Sequence, residues 1–170
     1  MKQAKINDYT KNGQFPSDHF PVIADLAIEP SQYIENLAFN KTAIGTTVCN
    51  QAEASGNAFD ETIYNNSKFC SKTVPASVQL DLGSPQVVSD FVIKHAGNGG
   101  ENPGLNTKDF NIEVSEDGTN WTRVVEVAGN TSNTTLHEIS PVSARYVKLN
   151  VENAGSDNVT RIYESEIYSN

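Results

Sequence analysis

The sequence predicts an all-β, antiparallel fold, a sandwich or a barrel, on three observations. Apolar residues alternate with polar ones at period two in several short runs, those runs end in Gly-, Pro-, Asn- and Asp-rich turns, and apolar stripes at helical spacing are nearly absent. Alternation puts every second side chain on one face, so each run reads as a strand half-buried against a core. Turns at this spacing join such strands directly, without crossover helices.

In chain order, residues 1–30 stand apart: they are polar until the alternating run at 21–28, which Glu29-Pro30 closes, and Pro30-Ser31 marks a joint. Ser77-Val78-Gln79-Leu80-Asp81-Leu82 then alternates and stops at Gly83-Ser84-Pro85. Asp90-Phe91-Val92-Ile93-Lys94-His95 is the next strand, followed by a Gly- and Asn-rich loop. Phe110-Asn111-Ile112-Glu113-Val114-Ser115 runs into Asp117-Gly118, a strong hairpin signal, and 121–127 returns. Strands at 145–151 and 161–168 complete the set, and only the region 52–59 suggests a short helical turn. Phe110 and Trp121 read as core, His137 as an ordinary strand residue, and Arg145 and Arg161 as partners of acids.

The 170 residues suit one domain with an appendage. Twelve Lys and Arg against 21 Asp and Glu give a net charge of −9. Duplex nucleic acid and anionic bilayers reward the opposite sign, which argues against both as partners of the globular part. No apolar run approaches the roughly 20 residues of a membrane span. Met1-Lys2-Gln3-Ala4-Lys5 leads into polar sequence, where a signal peptide needs an apolar core. The reading is a piece of a longer secreted chain, and the two cysteines favour it. Cys49 and Cys70 sit in polar, loop-like surroundings, poor sites for the buried reduced thiols of a cytosolic protein. A bridge between them would close a loop worth roughly 3 kcal/mol in the chain-entropy picture and implies an oxidising compartment. Neither a CxxC spacing nor an accompanying His suggests metal binding by the pair.

Six stretches carry a family resemblance: Asn36-Leu37-Ala38, Ala58-Phe59-Asp60, Val78-Gln79-Leu80-Asp81-Leu82-Gly83, the run from Asp109-Phe110 through Asp117-Gly118 to Trp121, Ala144-Arg145-Tyr146-Val147-Lys148-Leu149, and Arg161-Ile162-Tyr163-Glu164. In this order they resemble the factor V/VIII type C, or discoidin, family, and within it the family 32 carbohydrate-binding modules of bacterial glycan-active enzymes. The resemblance covers a module at 31–170 and implies an antiparallel β-sandwich, an eight-stranded jelly roll of the galactose-binding-domain-like type, with ligand loops at one end. It also implies a structural Ca²⁺ held by Asp60 in the polar loop after the first cysteine and by Glu164 on the last strand, with carbonyl help from Phe59 and Tyr163. Carboxylates and carbonyls are the oxygen ligands that this hard cation prefers. Where the family commonly has Gly after that Asp, this chain has Glu61.

Gly13-Gln14-Phe15-Pro16-Ser17-Asp18-His19-Phe20-Pro21-Val22 resembles the closing motif of the endonuclease/exonuclease/phosphatase superfamily. There the Asp–His pair works with a divalent metal on a phosphodiester. The other ligands of such a centre would lie upstream, so Asp18 and His19 read as relics of a preceding enzyme domain, with 1–30 as its C-terminal remnant and linker.

For ligand binding, the loop from His95 to Thr107 sets polar groups on a glycine-rich frame. Sugars present adjacent hydroxyls that both donate and accept, and carboxylates, amides and imidazole match them. His95, Glu101 and Asn106, with Asn102 as a weaker member, are the expected contacts. The 130–136 loop, Asn50 and Glu53 are additional candidates. The sequence shows no nucleophile elbow, phosphate loop or zinc motif, and a glycosidase pair built from Glu53 and Glu101 would lack the apolar frame that raises one pKa. The expected function is therefore a non-catalytic, monomeric, glycan-binding module. It would target a secreted bacterial hydrolase to glycans. The rivals are a discoidin-type module adhering to phospholipid membranes, a fragment of a metal-dependent phosphodiesterase or nuclease, and a protein-binding adhesin.

Overall fold

The computed structural model describes Lys5–Ile6, Val22–Ile23 and residues 34–169. Two compact units emerge, Met1–Tyr33 and Ile34–Asn170. In the first, β1 (Lys5–Ile6) and β2 (Val22–Ile23) pair antiparallel. The rest of the expected 21–28 strand and the Asp18–His19 motif lie outside the described residues.

The second unit is antiparallel throughout. Its strands are β3 (Thr42–Gly45), β4 (Phe69–Ser71), β5 (Ala76–His95), β6 (Asp109–Ser115), β7 (Thr122–Val127), β8 (Thr134–Asn153) and β9 (Thr160–Tyr168). Neighbours run β4-β9-β5-β8-β6-β7, and β3 pairs β5. β5 and β8, each 20 residues long, form one ladder from Ala76–Val151 to Lys94–Thr134, with register breaks between Asp81 and Gln86 and between Val88 and Asp90. The sequence reads a stop at Gly83-Ser84-Pro85, whereas the chain bends there and continues. Gly83 takes φ +89°, a left-handed conformation cheap only for glycine, and its N–H is capped by Asp81 Oδ1 at 2.8 Å. The half before the bend pairs β3 on its other side, the half after it pairs β9, and β6 extends the first half through β8. Both long strands thus serve both layers of the sandwich.

Alternation fills the space between the layers. Val78, Leu80 and Leu82 of β5, Phe110, Ile112 and Val114 of β6, and Val147, Leu149 and Val151 of β8 are buried, as are Phe91 and Ile93 past the bend. Each such side chain contributes about 1.5–3 kcal/mol by leaving water. Trp121 departs from the expected core: it precedes β7, is half-buried, and carries the Lys148 ammonium 3.9 Å from its ring centroid. Phe110, 1% exposed, is core as expected.

Three local features shape the surface on either side of β9. A bulge between the Lys94–Glu164 and His95–Ile162 pairs leaves Tyr163 without a cross-strand partner. Ile162, Tyr163 and Glu164 are consequently all buried, breaking the alternation of β9. Cys49 and Cys70 form a disulfide with Cα atoms 5.4 Å apart, beside a main-chain bond from the Cys49 N–H to the Cys70 carbonyl at 2.8 Å. The incoming chain is fastened to the last strand: the Leu37 N–H donates to the Ile167 carbonyl at 2.8 Å, and the Ile167 N–H donates to Asn36 Oδ1 at 3.0 Å.

Candidate functional site

A polar cleft of about 390 Å³ opens beside the disulfide. One wall is the short 3-10 turn Gln51–Glu53, which Asn50 caps by accepting the Ala52 N–H at 2.9 Å while its amide donates to Glu53 Oε2 at 2.6 Å. A second wall comes from the loop before β4, where Asn66, at φ +62°, donates to Glu53 Oε1 at 3.0 Å. Lys68 lies between the walls with a side chain only 5% exposed, its ammonium 2.9 Å from Glu53 Oε1 and 3.4 Å from Glu101 Oε1, with Asn66 Oδ1 as a further acceptor. Beneath it the Tyr163 ring lies 5.2 Å from the ammonium. The Tyr163 hydroxyl reaches Glu101 Oε1 at 2.8 Å. Burial, and then the Glu101 carboxylate, push that phenol above its ordinary range. Arg161 closes the far side, its Nε in an ion pair with Glu101 Oε2 at 2.9 Å and both terminal nitrogens bonded to Asp157.

Of the residues expected to touch ligand, Glu101 lies in this cleft, and so do Asn50 and Glu53. His95 and Asn106 are placed elsewhere. His95 is fully buried at the end of β5, its Nε2 3.3 Å from Thr135 Oγ1 and its ring 5.4 Å from that of Phe110. Burial lowers its pKa to about 4. Asn106, 1% exposed, braces the glycine-rich loop: Oδ1 accepts the Gly97 N–H at 2.7 Å and Nδ2 donates to Asn133 Oδ1 at 2.9 Å. Asn102 is exposed and caps a short 3-10 turn by accepting the Gly104 N–H at 2.9 Å. Sequence reasoning does not single out Lys68, Lys72 or Asn66, and it reads Arg161 only as an ion-pair partner. The available signal is the cysteine pair, which brings 49–53 beside 66–72.

On the other side of β9, Glu164 is fully buried and, among the described residues, neither of its carboxylate oxygens has a hydrogen-bond partner. Its pKa is pushed up to about 8, first by burial and then by the charges of Asp60 and Glu166, which Lys94 offsets only in part. Asp60 accepts from the Thr62 N–H at 3.0 Å and from Ser67 Oγ at 2.6 Å. Glu61, next in the chain, takes φ +57°, a left-handed turn at a residue other than glycine. The Phe59 carbonyl accepts the Asn40 N–H at 2.9 Å. Two neighbouring carboxylates, one of them orphaned in the interior, are costly without a cation, and their all-oxygen chemistry fits a hard one. The other cluster of potential ligands among the described residues, Cys49, Glu53 and Cys70, offers no thiolate because its sulfurs are bonded to each other.

The profile of the F5/8 type C domain matches residues 42–165. The chain belongs to that family. Solved structures place this F5/8 type C domain among carbohydrate-binding modules in fold. The family 32 carbohydrate-binding module of EndoD from Streptococcus pneumoniae is 29% identical, with a TM-score of 0.72 over 80% of this chain and 100% of that one. Chitosan-binding module 1 of a chitosanase/glucanase from Paenibacillus sp. IK-5 is 24% identical, with a TM-score of 0.70 over 79% of this chain and 99% of that one. The family 32 module of NanJ from C. perfringens, solved with galactose, is 20% identical, with a TM-score of 0.66 over 76% of this chain and 94% of that one. No curated protein matches the chain.

Proposed function

We propose that this F5/8 type C domain is a non-catalytic module that binds a saccharide in the cleft around Glu53, Lys68 and Glu101, and that it targets a secreted hydrolase to glycans. The observation that carries this reading is the buried Lys68 ammonium bridging the two carboxylates. It holds two acceptors in fixed positions, and the amide of Asn50 or Asn66 still has one N–H beyond its bond to Glu53. Fixed acceptors beside amide donors match the hydroxyl pattern of a sugar, and immobilising them beforehand lowers the ordering cost of binding. Carboxylates tied to an ammonium serve as acceptors, not as a proton-transfer pair. The EndoD module and the galactose-bound NanJ module share the fold, and the family membership supports the same ligand class here. A charged, hydrogen-bonding lining suits hydroxyls better than acyl chains.

The cation of the resembled family fits the second cluster. We infer that Ca²⁺ is held by Asp60 and Glu164, with chain carbonyls at Phe59 and Tyr163, supplying the positive charge those carboxylates lack. The disulfide supports an oxidising, extracellular setting.

A glycan array on the purified chain tests the reading. Binding to saccharides that Glu101→Ala abolishes, with the melting temperature retained, is the expected result. Equal signals from variant and parent would remove Glu101 from the site. Binding only to phosphatidylserine vesicles would replace the glycan with a membrane.

A further inference from the structure

The geometry points to an acidic saccharide, one bearing a carboxylate or sulfate, as the preferred ligand of the cleft, with Lys72 as the residue that selects it. This rests on the glycan-binding reading above and deepens it. The lining carries three cations, Lys68, Lys72 and Arg161, against two carboxylates, Glu53 and Glu101. Asp157, outside the lining, pairs with Arg161, so the positive charge left over for a ligand is that of Lys72.

Counting hydrogen bonds shows which charges remain for a ligand. Lys68 is spent within the protein: it hydrogen-bonds Asn66 and forms ion pairs with Glu53 and Glu101. Arg161 donates to both oxygens of Asp157 and to the Val159 carbonyl and holds Glu101 in an ion pair through Nε, so its charge is largely spent within the protein. Lys72 differs. It lines the cleft, is exposed, and among the described residues has neither an ion pair nor a hydrogen bond through its ammonium. Its backbone is nevertheless fixed. Cys70 is disulfide-bonded, and the buried Ser71 hydroxyl donates to the Thr47 carbonyl at 2.8 Å and accepts the Thr73 N–H at 3.2 Å. An unspent ammonium on an anchored stretch of backbone, in the lining of the cleft, is a donor available to a ligand anion. Donors left over at the rim, from Lys72 and the two amides, outnumber the acceptor positions left on Glu53 and Glu101. A neutral sugar uses both kinds evenly, whereas a carboxylate or sulfate substituent uses donors alone.

The test is calorimetric titration of the full chain, in calcium, with three pairs of probes: 3′-sialyllactose against lactose, glucuronic acid against glucose, and galactose 6-sulfate against galactose. At least one acidic member binds about fivefold more tightly than its neutral parent, the scale of one partly exposed ion pair. Lys72→Ala removes that difference, Lys72→Glu reverses it, and raising the salt shrinks it. The sialyl, uronate and sulfate arms tell which anion is read. Neutral parents binding as tightly as their acidic partners would overturn the acidic preference and leave the glycan reading standing. The same holds for a preference that survives in Lys72→Ala. Silence from all six probes, acidic and neutral alike, would count against both.

Discussion

Tyr163 and Glu164 are consecutive and both buried, yet they face different chemistry: the Tyr163 hydroxyl reaches Glu101 Oε1 at 2.8 Å, whereas neither oxygen of the Glu164 carboxylate has a hydrogen-bond partner among the described residues. The bulge in β9 makes this possible, since strict alternation would have turned one of them outward. The proposed saccharide cleft and the proposed cation cluster therefore meet at one peptide unit. They also share the loop that runs from Asp60 to Asn66 and Lys68.

If Asp60 and Glu164 hold Ca²⁺, the cation binds the folded state and stabilises it. At a hundredfold excess over its dissociation constant the gain is about 2.7 kcal/mol. The melting temperature is expected to rise with Ca²⁺ and fall with chelator in the parent. In Glu164→Gln, chelator should change it little. A chelator response that persists in Glu164→Gln would place the cation elsewhere.

His95 sets an acid limit on stability. Its pKa is lowered to about 4 from an ordinary 6.5 by burial, so the unfolded chain takes up a proton that the folded chain refuses. Stability from this group is complete above about pH 6.5 and is lost as the pH falls towards 4, by on the order of 3 kcal/mol. His137, also lowered by burial, acts in the same direction. Urea melts from pH 7 to pH 4 should show the loss, and His95→Gln should flatten the slope. An unchanged slope in that variant would assign the acid sensitivity to other groups.

Much of this fold is legible in the sequence, and the exceptions have physical causes. The runs that form β6, β7 and the second half of β8 declare themselves because each has one face in the core. β3 and β4 are only four and three residues long, too short for a period to register. The site is harder to read. His95 follows Phe91 and Ile93 at spacing two, and that parity already places it inward, as its full burial shows. Glu101 stands out in the sequence for its loop, yet its partners Lys68 and Arg161 are distant along the chain and only the closed sandwich brings them to it. Trp121 reads as core for its size. Its half-buried position under Lys148 depends on how β8 and β7 are placed on either side of β6, which no local pattern reveals.

Lys68 should prove more important to stability than its surface neighbours. Its side chain is 5% exposed and pairs with Glu53 and Glu101, so Lys68→Met leaves the buried Glu53 without its cation while Glu101 keeps Arg161. Breaking a buried pair in this way costs about 3–5 kcal/mol. The half-exposed Arg145–Asp81 pair sets the contrast, since solvent screens it and Arg145→Ala should cost clearly less than Lys68→Met. Denaturant titration of the two variants checks the ordering, and equal losses would refute it.

The fastening of Leu37 and Asn36 to Ile167 makes the β unit a nearly closed circuit. Joining its two ends with a short tether would span little distance, and the chain could be reopened at the Asp117-Gly118 hairpin with the order of neighbours in the sheet preserved. A unit of this shape can be spliced into the middle of a host polypeptide as readily as appended to it, because both of its attachment points leave from the same corner.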